Sequence, residues 1–471
     1  MVGARVALSA YTTLGLGGPA GRFVEAGDDE QIITAVREAD KAGEPVLVLG
    51  GGSNLVVADE GFPGTVIRVA SQGITVVDNE PGAAGVPGVA SVAHVAGVVG
   101  VSGEPGVNGE PGMGGGPGMG GEARRDGEAG GGVLVTVAAG ESWDGLVAWS
   151  VAEGLAGLEC LSGIPGLAGA TPIQNVGAYG QDVSETITEV RAFDRERGEI
   201  IRLTWADCEF GYRTSMLKRA AAGLATGRFV VLSVTFRLWR AHAEPDVAAG
   251  AGSPAARADA GAANAGPPHP GSAHTGPAHP GSAHTRAAGR GEALSRPVKY
   301  AELARRLGVE VGGRVPLAQA RQAVLALRRS KGMVLDAGDP DTRSAGSFFT
   351  NPIVSAAQFE QLKQKAAELL GPDTTVPHFP AGEPPLDGGP AEGAVKVPAA
   401  WLIERSGFAK GYPGQGAGAV RISTKHTLAL TNPAAGATAD LLELAGEIRT
   451  GVRAQFGINL TAEPVLVGVE L

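Results

Sequence analysis

The sequence predicts an α+β protein that contains more than one domain and two low-complexity inserts. Apolar runs typical of buried strands, at residues 46–49 and 133–137, alternate with segments whose apolar residues recur at helical spacing. A length of 471 residues is enough for two to four domains. Residues 75–132 and 241–295 show neither a strand pattern nor helical spacing, and they are rich in small residues and proline. We therefore expect disordered inserts there.

Composition and charge narrow the class of protein. The net charge of −10 argues against nucleic acid as the main partner. The two cysteines, Cys160 and Cys208, cannot form a disulfide framework and fit a reducing compartment. No apolar run approaches the roughly 18 residues of a membrane span, and the first residues lack the apolar core of a signal peptide. We therefore expect a cytoplasmic protein without a membrane or nucleic-acid partner.

Residues 10–69 are predicted to form a compact α/β unit. A strand at 22–26 precedes a helix that begins after Asp28, where the spacing to the next glutamine is typical of a capping box. The apolar residues of this helix recur at helical spacing, and it is expected to end at residues 44–45. A buried strand at 46–49 follows.

A glycine-rich turn leaves this strand. It reads, in order, Leu49, Gly50, Gly51, Gly52, Ser53, Asn54 and Leu55. A dinucleotide-binding G-x-G-x-x-G fingerprint would need a glycine in place of Leu55 and a helix after it, whereas strand-like residues follow. The backbone N–H groups of such a turn can bind a diphosphate. The alternative is a plain hairpin turn.

Residues 161–182 are the most distinctive stretch of the chain. They contain five glycines, two prolines and the polar pair Gln174–Asn175. Each glycine destabilises the interior of a helix or strand by about 0.5–1 kcal/mol, so we expect neither a regular helix nor a regular strand here. The stretch suits a backbone that lies along an anionic or heteroaromatic cofactor. The alternative is an ordinary glycine-rich loop in a protein that contains 75 glycines.

The remaining elements follow in order along the chain. Helical periodicity is found at residues 143–153, 297–332, 356–370, 399–404 and 441–456, and strand patterns at 187–193, 199–203, 229–238, 420–431 and 463–467. The last helix is the clearest, because its apolar residues form one stripe and Gly457 supplies a stop.

Both inserts contain repeats. Glycine occupies every third position of residues 97–121, a collagen-like pattern, but the triplets and prolines are too few to support a triple helix. The decapeptide at 266–275 is almost repeated at 276–285, and the two copies hold four of the eight histidines. Metal binding is the alternative there, but no cysteine or carboxylate accompanies these histidines at ligand spacing. We expect flexible linkers in both places.

Three further residues are candidates for chemistry: Arg213 in a polar turn, Ser347 after a glycine, and Glu463 before the final strand. With the two glycine-rich turns, they favour an enzyme that binds a phosphorylated cofactor. Each alone also has an ordinary explanation as a solvated charge, a turn former or a loop cap. Their spacing in the sequence does not by itself assemble them into one site.

Six motifs together resemble the UDP-N-acetylenolpyruvoylglucosamine reductases. They are GGGSNL, GIPG-x-x-G-x-x-P-x-QN-x-GAYGQ, GYR-x-S, AGSFFTNP, AAWLIE and a terminal EP, and they cover nearly all of the chain outside the inserts. The resemblance implies an FAD-binding domain of the PCMH or vanillyl-alcohol-oxidase type in two parts, followed by a smaller α/β substrate domain. The implied boundaries are 1–70 with 463–471, 71–345, and 346–462.

The resemblance also implies roles for individual residues. The active-site residues would be Arg213, Ser347 as proton donor to the enol intermediate, and Glu463. Substrate contacts would come from Tyr300, Lys218, Asn351 and His426. Cofactor contacts would come from the first turn, Leu49 to Leu55, and from Gly163, Ile164, Pro165, Gly166, Gly169, Gln174, Asn175, Gly177, Ala178, Tyr179 and Gly180. Thr350 departs from the family, since many relatives have lysine there, and we expect this to alter the contacts to the nucleotide diphosphate.

The implied reaction takes electrons from NADPH through FAD to the enolpyruvyl ether of UDP-N-acetylglucosamine enolpyruvate, and gives UDP-N-acetylmuramate for peptidoglycan. FAD would be bound non-covalently, because neither flavin motif contains the histidine through which many related oxidases attach it. A monomer is expected. Two alternatives remain: another oxidoreductase on the same flavin fold, such as a sugar or alcohol oxidase, and a non-catalytic scaffold that assembles through the inserts.

Overall fold

The computed structural model describes residues 6–78, 91–93, 132–221, 225–240, 293–381, 393–414 and 418–471. The strands, numbered along the chain, are β1 (Ala20–Ala26), β2 (Val46–Leu49), β3 (Leu55–Val57), β4 (Phe62–Val69), β5 (Ile74–Asp78), β6 (Ser91–Ala93), β7 (Gly132–Ala138), β8 (Leu155–Ala156), β9 (Gly177–Ala178), β10 (Gln181–Asp182), β11 (Ile187–Asp194), β12 (Glu199–Thr204), β13 (Phe229–Arg240), β14 (Ile353–Val354), β15 (Phe379–Pro380), β16 (Val395–Lys396), β17 (Arg421–Ile422), β18 (Leu430–Thr431) and β19 (Val465–Val467). The α-helices are α1 (Asp29–Ala42), α2 (Trp143–Ala152), α3 (Met216–Arg219), α4 (Ala301–Leu307), α5 (Leu317–Ser330), α6 (Ala356–Leu370), α7 (Ala399–Arg405) and α8 (Thr438–Phe456).

A small parallel sheet in the order β1-β4-β2 holds the first glycine-rich turn. Helix α1 begins as predicted, since the Asp28 carboxylate accepts a hydrogen bond from the backbone N–H of Gln31 at 2.8 Å. It ends earlier than predicted. Gly43 adopts φ +67° and terminates the helix before residues 44–45. The central strand β4 has no counterpart among the predicted elements.

Strand β3 pairs in parallel with β19, in the register Leu55 with Val465 to Val57 with Val467. The segment directly after the first glycine-rich turn is therefore joined to the last strand of the chain. This pairing places residues 463–470 beside the turn.

The largest sheet follows the order β12-β11-β13-β7-β5-β6, and β8 pairs with β13. All of its pairings are antiparallel. Its apolar face packs on α2 in a core that contains Val135, Trp143 and Phe236, each at most 1% exposed. The alternating burial along β7 explains why this strand was predictable.

The boundaries predicted for the two inserts are wrong at their edges. Residues 74–78 form β5, which pairs along its length with β7, so regular structure extends past residue 75. The backbone N–H of Ser295 donates to the carbonyl of Val315 at 2.7 Å, and the N–H of Leu317 donates to the carbonyl of Ala293 at 2.8 Å. Residues 293–295 therefore belong to the folded chain. The collagen-like stretch at 97–121 and the decapeptide repeat at 266–285 lie outside the described residues.

The last third of the described chain forms a second core around α8. Leu441, Leu444, Ile448 and Val452 make the predicted buried stripe, and Gly457 at φ +74° ends the helix. Helices α6 and α7 pack against it. The small sheet β14-β16-β15 covers the start of α6.

The continuous strand predicted at 420–431 is wrong. Two residues at each end pair as β17 and β18, and a turn separates them. The hydroxyl of Ser423 accepts hydrogen bonds from the N–H groups of Lys425 and His426, which closes this turn. Across the described ranges, we find no helix that is long and apolar enough to span a membrane.

Candidate active site

One cavity of about 1040 Å³ lies where the two glycine-rich turns meet. It is larger than the 300–1000 Å³ or so of a typical small-molecule site. The predicted cofactor residues that line it are Gly50, Gly51, Gly52, Ser53, Asn54, Leu55, Ile164, Pro165, Gly166, Gly169, Gln174 and Gly177. Arg213, Lys218, Ser347 and Glu463 line the same cavity. The fold thus brings together groups that are far apart in the sequence.

The two turns touch each other through glycine backbone. A Cβ atom on Gly51 would lie 2.7 Å from Cα of Gly166, closer than real side chains come. Gly52, at φ +60°, has the carbonyl oxygen of Tyr11 where a side chain would point. The hydroxyl of Ser53 donates to the carbonyl of Pro165 at 3.0 Å, which ties the first turn to the second.

Asn54 and Asn175 hold the second turn in place. The Asn54 amide donates to Oε1 of Gln174 at 2.8 Å. The Asn175 amide donates to the carbonyl of Gly211 at 3.0 Å and its oxygen accepts from the N–H of Ser184 at 3.2 Å. Asn175 itself adopts φ +47°. It lies outside the cavity lining and connects the glycine-rich stretch to the turn that carries Arg213.

Arg213 is fixed by contacts on several sides. Its Nη2 donates to the carbonyl of Gly177 at 2.6 Å and its Nη1 to that of Asn175 at 3.2 Å. Its Nε lies 3.2 Å from Oε1 of Glu463. The backbone of Arg213 adopts φ +54°, which is unusual for a residue with a side chain, and Nζ of Lys218 donates to its carbonyl at 3.1 Å. A guanidinium held in this way needs little reorganisation to meet an anion.

Burial shifts the pKa values of two groups beside Arg213. Burial raises the pKa of Glu463, although the charges of Arg213 and Lys218 act in the opposite direction. Burial also lowers the pKa of Lys218, partly offset by Glu463. The site therefore combines one fixed guanidinium with a carboxylate and an ammonium that the protein interior disfavours as charged groups.

Ser347 is positioned by its neighbours on both sides. Gly346 before it adopts φ +74°. After it, the N–H of Phe348 donates to the carbonyl of Leu428 at 2.7 Å, and the carbonyl of Phe348 accepts from the N–H of Glu463 at 2.8 Å. The rings of Phe348 and Phe349 are 1% exposed and anchor the segment in the core. Ser347 and Glu463 are thus held on adjoining backbone segments.

Other predicted site residues lie outside the cavity lining. Among the cofactor residues these are Leu49, Gly163, Asn175, Ala178, Tyr179 and Gly180. Tyr300, predicted to contact substrate, is 42% exposed, and its ring packs edge-on against Tyr179 at 5.6 Å between centroids. Burial raises the pKa of Tyr179 to about 12.

Asn351 and His426 have structural partners of their own. Oδ1 of Asn351 accepts from the N–H of Ala399 at 2.9 Å, at the start of α7. His426 follows the turn closed by Ser423, and burial together with the nearby charge of Lys331 lowers its pKa to about 4. The backbone N–H of Thr350 donates to the carbonyl of Thr461 at 3.1 Å. Thr350, Asn351 and His426 do not line the cavity, unlike Arg213, Lys218, Ser347 and Glu463.

Arg328 is a candidate site residue that the sequence reasoning missed. It is 6% exposed, lines the cavity, and donates from Nη2 to the carbonyl of Met333 at 2.9 Å. Its Nε has no hydrogen-bond partner among the described residues. The helical spacing of α5 could have revealed it, because Leu317, Ala320 and Val324 share its buried face. A buried, incompletely paired guanidinium in a cavity suits an anionic ligand.

Known proteins match this chain over its whole length. The family model for the UDP-N-acetylenolpyruvoylglucosamine reductase C-terminal domain matches residues 339–467, and that for the FAD binding domain matches 20–133 and 129–204. A UDP-N-acetylenolpyruvoylglucosamine reductase from Thermobifida fusca is 45% identical over 466 residues, which are 99% of this chain and 98% of that protein. Its counterpart from Salinispora arenicola is 45% identical over 465 residues, 98% of this chain and 95% of that protein.

This chain belongs to the UDP-N-acetylenolpyruvoylglucosamine reductase family. It is a flavin-dependent oxidoreductase, and its cofactor is FAD. The resemblance found in the sequence and the predicted fold class are both confirmed. The FAD binding domain match includes both glycine-rich turns of the reductase, and the match to the C-terminal domain includes Ser347 and Glu463.

The cavity fits FAD on structural grounds. Its walls are backbone at positions where a Cβ atom would collide, as at Gly51 and Gly52, and they contain two arginines for an anionic group. In the described part of the reductase, no three histidine, cysteine or carboxylate side chains are grouped to hold a metal ion.

Proposed function

We propose that this chain reduces the enolpyruvyl ether of UDP-N-acetylglucosamine enolpyruvate to UDP-N-acetylmuramate, with NADPH as the electron donor, for peptidoglycan synthesis. Family membership supports this activity. The structural observation that supports it most directly is the single cavity in which Arg213, Ser347 and Glu463 meet the two glycine-rich turns.

The cofactor's place follows from the cavity walls. Backbone N–H groups of residues 50–54 would hold the FAD diphosphate, because a turn without side chains lets phosphate oxygens approach closely. Residues 164–177 would lie along the rest of the cofactor, and Arg328 would offer its unpaired Nε to an anionic part of it. When bound, FAD would supply the redox chemistry that transfers a hydride equivalent from NADPH to the substrate.

Arg213 would stabilise the charge that develops on the substrate. Addition of a hydride to the β-carbon of an enolpyruvyl group moves the electron pair of the double bond toward the carboxylate. A guanidinium already fixed by two carbonyls and by Glu463 can meet this charge without reorganising. Removing one such preorganised donor typically costs roughly 2.7–4 kcal/mol of transition-state stabilisation.

Ser347 would complete the reaction by giving its hydroxyl proton to the α-carbon. That carbon carries the electron pair displaced by hydride addition, so one C–H bond forms as the serine O–H bond breaks. Anchoring of Phe348 and Phe349 would fix the face from which the proton arrives. Glu463 would fix Arg213 and Ser347 relative to each other. Its carboxylate pairs with Arg213, and its backbone N–H donates to the carbonyl of Phe348, the residue after Ser347.

The remaining predicted residues are assigned to the nucleotide sugar. Lys218 lies in the cavity, and we propose that Tyr300, Asn351 and His426 reach the substrate from its rim. We also retain the boundaries 1–70 with 463–471, 71–345 and 346–462 as a proposed division into domains. A cytoplasmic monomer that supports cell division and cell shape through this reaction is part of the same proposal.

Flavin absorbance during a two-step anaerobic reaction tests the function. NADPH should bleach the flavin band of the purified protein, and the enolpyruvyl substrate should restore it faster than buffer does. A flavin oxidase would be supported if a sugar or alcohol bleached the band in place of NADPH. It would also be supported if the band returned only when oxygen was admitted, and not with the enolpyruvyl substrate. A protein without a flavin band would contradict both enzymatic functions.

A further inference from the structure

The carboxylate of Asp182, which is not among the predicted site residues, lies beside the Arg213 guanidinium. Strands β9 and β10 form a two-residue antiparallel ribbon in which Asp182 is the cross-strand partner of Gly177. The Asp182 carboxylate lies over Gly177, in the space where a side chain at that position would be. Oδ1 of Asp182 is 3.7 Å from Nη1 of Arg213. The bare backbone at Gly177 is therefore what lets Asp182 reach the guanidinium.

The two acidic neighbours of Arg213 lie in different places. Glu463 lines the cavity with Arg213, and its side chain is 15% exposed. The Asp182 side chain is 50% exposed and does not line the cavity. Asp182 therefore contacts the guanidinium at Nη1 from outside the cavity and does not compete with an anion there, whereas Glu463 contacts Nε from within it.

Other charges around Asp182 do not replace this contact. Burial raises the pKa of Asp182, and Arg213 is the strongest influence in the opposite direction, ahead of Lys396 and Lys299. Lys299 is engaged by Glu185 at 2.8 Å, and Nζ of Lys396 lies 4.3 Å from the centre of the Tyr212 ring. Arg213 is thus the main cationic partner of Asp182.

We propose that Asp182 is a positioning residue for Arg213. Its carboxylate holds the guanidinium against Gly177 and Asn175, so that the remaining N–H groups face the substrate carboxylate. The proposal rests on the function proposed for Arg213. It adds a residue that acts through Arg213 without contacting the substrate.

Asp182 also caps the short helical turn at Val183–Glu185, and its effect on Arg213 must be separated from that role. Asp182→Asn makes this separation. Asparagine caps a helix about as well as aspartate and has the same shape, so it fits over Gly177 while the charge is lost. Asp182→Ala removes both the cap and the charge. Glu185→Gln is a matched control, since it removes a neighbouring carboxylate that does not contact Arg213.

The two flavin half-reactions provide the measurement. Asp182→Asn should slow reoxidation of the reduced flavin by the enolpyruvyl substrate by about three- to tenfold, because a half-exposed ion pair and the orientation it gives are lost. Reduction by NADPH should stay within about twofold of wild type. Glu185→Gln should leave both rates unchanged. On an Arg213→Ala background, Asp182→Asn should have no further effect, because its partner is already gone.

Three results would overturn the proposal. Wild-type rates in Asp182→Asn, with a defect only in Asp182→Ala, would show that Asp182 is a cap alone. Equal slowing of both half-reactions would show a general structural role. An undiminished effect on the Arg213→Ala background would show that Asp182 acts elsewhere. Failure of the proposed function is distinct from these, since the wild-type flavin itself would then not be reoxidised by the enolpyruvyl substrate.

Discussion

Nε of Arg213 lies 3.2 Å from Oε1 of Glu463, and this contact joins a turn in the middle of the chain to the segment before its last strand. The contact closes one wall of the cavity between the two glycine-rich turns. Because the two residues carry opposite charges in a largely buried setting, removal of either would leave the other without its main partner. Substitutions here should therefore affect both chemistry and stability.

Arg213→Ala should depress reduction of the enolpyruvyl substrate by about two to three orders of magnitude, the range observed when one preorganised donor to a developing oxyanion is lost. Arg213→Lys should recover only part of the rate, because an ammonium cannot reproduce the planar fork that meets Gly177, Asn175 and Glu463. Single-turnover reoxidation of the flavin is the measurement. Full activity in either variant would remove Arg213 from the catalytic residues.

Ser347→Ala should slow only the half-reaction that needs a proton. Loss of a general acid typically costs about 10²- to 10⁴-fold, and reoxidation by the enolpyruvyl substrate should fall by that factor. Flavin reduction by NADPH should stay within a few-fold of wild type. Stopped-flow absorbance resolves the two steps. Parallel loss of both, with FAD still bound, would mean that Ser347 positions ligands and does not donate the proton.

Glu463→Gln should flatten the pH dependence of the stability of the FAD-loaded protein, while it also takes from Arg213 its main charged partner. Because burial raises the pKa of Glu463 above its ordinary 4.5, the native wild type loses stability as the pH rises through the raised value and the group ionises. Glutamine cannot ionise, so the difference in Tm between variant and wild type should shift in favour of the variant as the pH rises from 4.5 toward neutrality. Thermal unfolding at several pH values measures it. A difference in Tm that is independent of pH would contradict the prediction.

Gly51→Ala should reduce the flavin content of the purified protein severely, because the added Cβ would lie 2.7 Å from Gly166 and would push the two turns apart. Gly446→Ala is the control. This glycine is inside α8, where a Cβ would meet nothing within 4 Å, so alanine should keep the cofactor and favour the helix. Flavin is measured after acid precipitation, which should release all of it into the supernatant. Colour retained in the pellet would show covalent attachment.

Deletion of residues 94–131 and 241–292, each replaced by a flexible Gly/Ser linker, should leave turnover within a few-fold of wild type. The folded chain resumes at β7 and at residue 293, and none of the described cavity residues lies in the deleted ranges. Deleting each insert separately provides the comparison. Loss of a binding partner with turnover intact would add an assembly role, whereas loss of turnover would connect the inserts to the active site.

Local patterns in the sequence predicted most of the regular elements and few of the contacts between them. Helix α8 and strand β7 were predictable, because burial repeats along each with its own period. Strand β4 was missed because Pro63 and Gly64, its second and third residues, interrupt the pattern of a strand that is otherwise nearly all buried. Family resemblance, not spacing, brought Arg213 and Glu463 into one site.

Asp182 and Arg328 show why the rest was not predictable in the same way. The contact of Asp182 with Arg213 depends on a cross-strand glycine and on a turn whose approach no local pattern records. The burial of Arg328 follows from helical spacing, but its direction into the cavity depends on where α5 packs. An ion pair between Arg321 and Asp144 at 2.6 Å helps to set that packing, and Asp144 also accepts from the N–H of Gly163.

The parallel pairing of β3 with β19 has a consequence for the order of events during synthesis. Both glycine-rich turns leave the ribosome long before Glu463 and the strand that follows it. Until those last residues emerge, the nascent chain holds the turns and Arg213 but lacks one wall of the cavity. The cofactor can therefore be enclosed only after residues 463–470 have left the ribosome, long after both of the turns that line its cavity.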